Sequence, residues 1–379
     1  MADVSIGTVG RALLGRKGVS ESTRQRILSI AEAIGYRPNL AARALSKGRT
    51  QIRVGVCVPR ELHYYFDQLR DGILDEAHRF EHLGIQLDLR CTERLGTGEV
   101  QRLSELVAEG VRALILAPGD PQGLLPVINE AESKGIRVVC VDSDVQASSR
   151  SALVSVDADA SGRMAAELMG RFLDSGAEVA IITGMPNVEL HRQKAAGFCE
   201  VFPQTCEGGK VVEVVETLDD EDDPMRKCFA LLERRKLLSG IYVRTGNCLP
   251  ICRAISVLGL TGKVTLITTD LFREMVPYFE NGVIQASING RPYMQGQMAM
   301  RLLVDHLVWG RSLPSHYHLN PQVVLQSNLH LFRELRPRST GSEPVVSVSS
   351  AVPAQGDPSA QRQVVHGEGA VRHEIRKRA

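Results

Sequence analysis

The chain has 379 residues, of which 43% are hydrophobic and 23% charged, a composition typical of one to three globular domains. No apolar run approaches the roughly 20 residues of a membrane span, and residues 1–4 do not open a secretory signal peptide. Eight cysteines are spread without a CxxC pair, which favours reduced thiols over a zinc site. We therefore expect a cytoplasmic protein without a membrane span, bound metal or cofactor.

Charge is distributed unevenly along the chain. Residues 1–53 carry a net charge of +7, residues 54–336 carry −8, and residues 337–379 carry +2. A basic N-terminal segment (the head, residues 1–53) before a large acidic segment predicts that only the head binds a polyanion. Exposed lysine and arginine, however, attract any polyanion. The last segment is rich in Ser, Pro, Gln and Gly without a sustained period, which predicts a disordered tail.

The head contains two helical patterns followed by a short third segment. The first pattern covers Ser5–Leu14. The second follows Ser20, which can cap it, and its apolar residues recur at helical spacing up to Gly35. Residues 39–47 are rich in Ala and Leu but are too few for a helix that is stable alone.

From residue 52 onward, strand and helix patterns alternate, which predicts an α/β class with parallel sheets. Two successive series of strands predict two lobes, and ligands of such sheets bind at the carboxyl ends of the strands, here in the cleft between the lobes. Predicted helices include Asp67–Leu83, Ala160–Asp174 and Pro250–Leu258. The predicted strands are Ile52–Val58, Gln86–Arg90, Ala113–Ala117, Arg137–Val141, Leu153–Val156, Glu178–Thr183, Gly209–Glu216, Gly240–Val243, Thr265–Thr269 and Val283–Ser287.

The head motifs resemble those of the lactose-repressor (LacI/GalR) family of bacterial transcription regulators. Val4–Gly15 resembles that family's recognition helix, residues 19–39 its third helix and the turn after it, and Asn39–Leu45 its hinge helix. The resemblance continues to about residue 333, through lobes similar to the ribose-type periplasmic sugar-binding proteins.

This resemblance implies a small all-α headpiece joined to a two-lobed periplasmic-binding-protein-like domain, with two parallel sheets flanked by helices. The implied divisions are a helix-turn-helix headpiece at 1–38, a hinge and linker at 39–51, a two-lobed domain at 52–336 and a tail at 337–379. Within the two-lobed domain, the first lobe takes about 52–156 and 289–315, and the second about 157–288 and 316–336.

In that family the recognition helix lies in the major groove, and the hinge helix inserts a leucine as a wedge into the minor groove. Arg11 can reach a phosphate or a guanine edge, and the alternative is a solvated charge. Leu45 takes the wedge position, and the alternative is a linker residue that covers the lobes. The residues assigned to DNA contact are Ser5, Ile6, Gly7, Thr8, Arg11, Asn39, Ala42 and Leu45.

The head departs from the family pattern before the recognition helix. A helix-turn-helix needs a supporting helix there, in a stretch of about twenty residues, whereas only residues 1–3 precede the motif here. We expect translation to start further upstream. The alternative is a cytoplasmic sugar-sensing module that has lost DNA binding.

The resemblance also implies an effector site in the cleft. Aromatic rings pack on the apolar face of a sugar, and carboxylates accept its hydroxyl hydrogen bonds. For Asp157, capping of the next helix is an equal alternative. The residues assigned to the effector are Tyr65, Phe66, Asp142, Asp144, Asp157, Arg192, Lys194, Asn247, Asp270 and Arg291.

Three of these residues are cations, which leaves an acidic ligand open. Lys194 stands where the family has a ligand-binding arginine, and this exchange loses the planar fork that grips adjacent hydroxyls. Arg192 can compensate, and Arg291 can bring another positive charge to the cleft. A sugar acid or a sugar phosphate is therefore an alternative to a neutral sugar.

Catalytic motifs are absent from the sequence: it has no GxSxG elbow, no P-loop and no HExxH. We therefore expect a regulator rather than an enzyme. The expected partners are a palindromic DNA operator, a sugar or sugar derivative, and a second copy of the chain in a homodimer or higher oligomer. Because most members of that family repress transcription, the resemblance implies a repressor.

Overall fold

The computed structural model describes residues 4–13, 18–33, 51–184, 189–217 and 222–332. The head forms two helices, α1 (Ile6–Leu13) and α2 (Glu21–Ala33), which pack against each other. Ser20 Oγ accepts the backbone N–H of Thr23 at 3.3 Å, so the predicted cap of α2 is confirmed. The predicted hinge, with Asn39, Ala42 and Leu45, and the tail at 337–379 lie outside the described residues.

Residues 51–332 build two six-stranded sheets with the same strand order, β2-β1-β3-β4-β5-β11 and β7-β6-β8-β9-β10-β12. Every strand pair is parallel except β10 with β12, which is antiparallel. The strands are β1 Ile52–Cys57, β2 Ile85–Leu89, β3 Ala113–Leu116, β4 Arg137–Val141, β5 Ala152–Val156, β6 Glu178–Thr183, β7 Lys210–Glu216, β8 Leu238–Val243, β9 Thr265–Thr269, β10 Ala286–Asn289, β11 His316–Leu319 and β12 Gln322–Val324.

Helices cover both faces of each sheet. Helices α3 and α11 cover one face of the first sheet and α4 and α5 the other, while α6 and α7 face α8 and α9 across the second sheet. None of the helices within the described ranges is long and apolar enough to cross a membrane. The helices are α3 His63–Arg79, α4 Glu99–Ala108, α5 Pro121–Ser133, α6 Ala158–Phe172, α7 Glu189–Thr205, α8 Asp222–Arg234, α9 Leu249–Val257, α10 Val276–Glu280 and α11 Pro292–Trp309.

The strands read as continuous apolar runs because both of their faces are buried. On β3, Ala113 and Ile115 point to the core beneath α3 and α11, whereas Leu114 and Leu116 point to the core beneath α4 and α5. Successive side chains of a strand point to opposite faces, so an alternating run of this kind fills two cores at once. The α/β prediction is confirmed by this layering.

The structure corrects two predicted boundaries. Strand β11 pairs with β5 in the first sheet, so the chain's last passage between the lobes lies after Leu319 and not at about 316. The sequence missed β11 and β12 because they have only four and three residues. Helix α3 begins at His63 rather than Asp67, so the aromatic run at 64–66 lies in its first turn.

Each lobe contains one very close crossing of two helices, and glycines make both crossings possible. Where α3 meets α11, a Cβ atom at Gly72 or at Gly296 would lie 2.0 Å from a backbone oxygen of the other helix. Where α6 meets α7, a Cβ atom at Gly162 would lie 2.0 Å from the backbone oxygen of Lys194. Real Cβ atoms do not approach backbone oxygens so closely, so any side chain there must push the helices apart.

We expect Gly162→Ala to destabilise the second lobe by roughly 1–3 kcal/mol, because the new methyl group overpacks a backbone contact. Urea unfolding followed by far-ultraviolet circular dichroism measures this change. Glu167→Ala is the control, since Glu167 is exposed on the same helix and its loss should change stability by no more than about 0.5 kcal/mol. Equal stability of the two variants would contradict the conclusion that the close helix crossing leaves no room for a side chain at Gly162.

Candidate ligand site between the lobes

A cleft lies between the two lobes, and the space between its lining atoms is about 550 Å³, part of it open to solvent. The first lobe contributes residues that follow β1 and β4, and the second lobe contributes residues of α7 and of the segments after β8 and β9. The carboxyl ends of the parallel strands therefore face each other across the cleft, as the topology predicts. The lining includes Tyr65, Phe66, Asp142, Lys194, Arg244 and Asp270.

Two aspartates occupy equivalent places in the two lobes. Asp142 directly follows β4 and Asp270 directly follows β9, and these are the fourth strands in the matching sheet orders. Both have left-handed backbone, with φ of 64° and 67°. Asp tolerates this conformation better than most residues do. The turn aims one carboxylate from each lobe into the same space.

Burial dominates the electrostatics of these carboxylates. Asp270 is 5% exposed, and its burial raises its pKa to about 6, while the positive charge of Lys194 acts in the opposite direction and Asp142 adds to the rise. Burial also raises the pKa of Asp142, against the hydrogen bond from Tyr65 and the charge of Lys194. Lys194 is 4% exposed and acts on both carboxylates, so it offsets part of the negative charge of the site.

The aromatic residues of α3 shape the first-lobe wall. Tyr65 and Phe66 are buried and meet edge to face, with ring centroids 5.1 Å apart. The Tyr65 hydroxyl donates to Asp142 Oδ1 at 2.6 Å. This bond and a hydrogen bond from the Ser143 side chain fix the orientation of the carboxylate, whose two oxygens can accept further hydrogen bonds from a ligand.

The two lobes touch through the first turns of α3. The ring of Tyr64 stacks on Phe272 with centroids 4.1 Å apart, and its hydroxyl donates to Asn247 Oδ1 at 3.2 Å. Gln68 Nε2 donates to the backbone oxygen of Leu271 at 2.9 Å. Asn247 therefore joins the lobes from beside the cleft wall, where its neighbour Gly246 lines the cleft.

Five residues that the sequence assigned to the effector lie outside the cleft lining: Asn247, which joins the lobes, and four others. Asp144 pairs with Arg150, whose Nη2 lies 2.8 Å from Asp144 Oδ2. Asp157 caps α6 by accepting the N–H of Ala160 at 2.9 Å, which is the alternative that the sequence left open. The last two residues outside the lining are Arg192 and Arg291, which the sequence had proposed as positive charges of the cleft.

Arg192 and Arg291 do not supply the positive charge of the cleft. Arg192 is exposed and pairs with Glu189, with Arg192 Nε 2.8 Å from Glu189 Oε2. Arg291 has left-handed backbone at the start of α11, where its N–H donates to Asn289 Oδ1 at 2.9 Å. The ion pair with Glu189 holds the Arg192 side chain, and Arg291 is not among the residues that line the cleft.

Sequence reasoning missed Arg244. It is the first residue after β8, it lines the cleft, and it is 6% exposed. Its position at the carboxyl end of a strand, between apolar β8 and Thr245-Gly246, was the available signal. The described residues contain no cluster of three or more His, Cys, Asp or Glu side chains arranged to hold a metal ion.

In the head, α1 presents its N-terminal residues to solvent. Ser5 Oγ accepts the N–H of Thr8 at 3.2 Å, and the two hydroxyls lie 2.9 Å apart, so Ser5 caps α1. Gly7 and Arg11 are exposed. The placement of these residues leaves the amino end of α1 accessible to a partner; for Ile6 only the helical backbone is described.

Two family models match the chain. The model described as "Periplasmic binding protein domain" matches residues 54–312, and the model described as "Bacterial regulatory proteins, lacI family" matches residues 1–39. The chain is similar to catabolite control protein A of Priestia megaterium, with 25% identity over 321 residues that cover 81% of this chain and 90% of that protein. It is also similar to the ribose import binding protein RbsB of Bacillus subtilis, with 24% identity over 271 residues, or 71% and 86% of the two chains.

Solved structures have the same two-lobed fold. A solute-binding protein of Burkholderia graminis, in complex with D-arabinose, superposes with a TM-score of 0.69 at 23% identity and covers 74% of this chain and 98% of that one. A myo-inositol binding protein of Caulobacter, bound to myo-inositol, gives a TM-score of 0.68 at 21% identity and covers 75% and 96%.

We expect Asp270→Asn to change how stability depends on pH. Between the ordinary aspartate pKa near 3.8 and the folded value of about 6, the unfolded chain loses this proton first, so the stability of the natural chain falls as pH rises. The variant has no such proton, and Asn also tolerates left-handed backbone. Its unfolding free energy should therefore rise by about 3 kcal/mol relative to the natural chain across this interval.

Urea unfolding at steps of pH between about 4 and 7 measures the difference between the two chains. Asp157→Asn is the control for the same exchange at an exposed strand end. If the stability difference between Asp270→Asn and the natural chain stays constant over this range, the raised pKa of Asp270 is contradicted.

Proposed function

The chain belongs to the LacI family of bacterial regulatory proteins and carries a periplasmic binding protein domain, and from this we propose that it is a DNA-binding transcription regulator controlled by a small polyhydroxylated effector in the cleft. The main support for an effector in the cleft is the pair Asp142 and Asp270, which places one carboxylate from each lobe in the same space. The positive charge of Lys194 acts on both carboxylates. The proposed role is that of a binding protein, without a reaction of its own.

The effector is proposed to hold the lobes in one relative position. A molecule with several hydroxyl groups can donate to carboxylates of both lobes at once, and the buried site makes these hydrogen bonds stronger than in water. Phe66 supplies an apolar surface for the carbon face of such a molecule. Two proteins of the same fold, one in complex with D-arabinose and one bound to myo-inositol, support this class of ligand.

DNA binding is proposed to use the exposed amino end of α1. Gly7 lets the backbone approach a base edge or a phosphate, and Arg11 carries a positive charge on the same helix. A homodimer that binds a palindromic operator is part of this proposal, since two-fold symmetric operators match two-fold symmetric proteins. A change in lobe position then alters how the two heads are held, which links the effector to DNA affinity.

Fluorescence anisotropy with the DNA upstream of the gene, and a scrambled duplex as control, tests the proposal at stated salt concentrations. The expected result is specific binding by the full natural chain that changes when an effector is added. A chain that binds sugars but no DNA would favour the alternative, a cytoplasmic sugar-sensing module, and would overturn the regulator.

We expect Arg11→Ala to weaken operator binding about 10-fold or more, because it removes one charged contact. If that contact is to a phosphate, the slope of log affinity against log salt falls by about 1 and the loss is equal on operator and scrambled DNA. Arg171→Ala is the control, since Arg171 pairs with Glu167 in the second lobe. Unchanged operator affinity in Arg11→Ala would contradict the assignment of α1.

A further inference from the structure

The cleft contains a buried cation, Arg244, that no group among the described residues pairs with at hydrogen-bond distance through its Nε or Nη1. Arg244 is 6% exposed and lines the cleft. Within the described ranges, its Nε and Nη1 have no hydrogen-bond partner and its guanidinium has no ion pair. Burial is the main influence on its pKa, which it lowers to about 10, and the exposed Glu216 acts only as a charge at a distance.

An unpaired buried guanidinium is costly in a folded protein. Natural chains tolerate such a cost where a ligand supplies the missing partner. The positive charge of the other cation of the cleft, Lys194, already lowers the pKa of both Asp142 and Asp270. Arg244 is therefore the cation that is left for a ligand.

The geometry selects the kind of anion. A guanidinium presents its N–H groups as a planar fork that matches a carboxylate with two parallel hydrogen bonds. Three carboxylates, those of Glu61, Asp142 and Asp270, line the same cleft. They repel a doubly charged phosphate more than a singly charged carboxylate, so the surrounding charge favours a monoanion.

We propose that the effector is a polyhydroxylated monocarboxylate, such as an aldonic or uronic acid, whose carboxylate binds Arg244 while Asp142 and Asp270 accept its hydroxyl hydrogen bonds. This inference rests on the proposed function and names the class of its effector. The acidic ligand is thus proposed to bind Arg244. The sequence had suggested Arg192 and Arg291 instead, but both lie outside the cleft lining.

Calorimetric titration of the full chain tests this proposal with D-gluconate, D-glucuronate and D-galacturonate as acids. D-glucose and D-galactose are the neutral probes, and D-glucose 6-phosphate is the phosphate probe. We expect one acid to bind about 10- to 100-fold more tightly than its neutral counterpart, the range for a charge-assisted hydrogen bond. Arg244→Met should remove this preference and leave the affinity for the neutral sugar within about threefold.

Two further comparisons separate a ligand contact from a structural role. Arg192→Met is the matched control, and it should keep the preference for the acid because Arg192 is exposed and paired with Glu189. Without any ligand, Arg244→Met should unfold at a higher urea concentration than the natural chain, because it removes an unpaired buried charge. If it unfolds at a lower concentration, Arg244 supports the fold and the proposal is overturned.

The remaining outcomes distinguish this proposal from the proposed function. Equal or tighter binding of the neutral sugar, or of the phosphate, overturns the carboxylate and leaves a sugar-controlled regulator standing. If none of the six probes binds and none changes operator affinity, the sugar effector and the carboxylate are both overturned.

Discussion

The buried charge of Lys194 is the interaction on which the cleft depends. Lys194 is almost fully buried, and it lowers the cost of burying two carboxylates that come from different lobes. Removal of one member of such a group would leave the other charges uncompensated in a medium of low polarity. The position of Lys194 is fixed in turn by the crossing of α6 and α7, where its backbone oxygen lies against Gly162. A backbone contact between two helices of the second lobe thus helps to position a charge that acts in the cleft.

Backbone strain is concentrated at the same place. Among the described residues, the four non-glycine positions with left-handed backbone are Leu62, Asp142, Asp270 and Arg291, and the first three line the cleft. Conformations of this kind cost on the order of 1–3 kcal/mol each for residues that do not favour them, and they persist where the surrounding structure enforces them. Here the strand ends are held by two doubly covered sheets. The rigid sheets therefore hold the strained turns that aim side chains into the cleft.

Sequence reasoning found the residues whose position follows directly from the strand pattern. Asp142 and Asp270 end apolar strands, so their place at the carboxyl edge could be predicted, and the aromatic run after β1 placed Tyr65 and Phe66 near the same edge. The cations were harder to predict. The ion pair of Arg192 with Glu189 depends on contacts between side chains that strand order does not specify.

The case of Arg244 shows why the rest could not be predicted. Its proposed role as a ligand anchor rests on the lack of a hydrogen-bond partner for its Nε and Nη1 among the described residues, which depends on the surrounding structure and not on a motif. The strands β11 and β12 were missed for a related reason, because strands this short form through pairing with β5 and β10 and not through their own apolar pattern. The alternation of longer segments, by contrast, was sufficient to predict both lobes and their order.

Occupancy of the cleft and binding of DNA are proposed to be coupled, and a closed thermodynamic cycle tests this coupling most directly. Operator affinity is measured with and without the tightest-binding sugar or sugar acid, and the affinity for that ligand is measured with and without operator, all at one salt concentration. We expect both ratios to be equal and to lie in a range of about 5- to 150-fold. Ratios equal to one, with both ligands bound, would contradict the account.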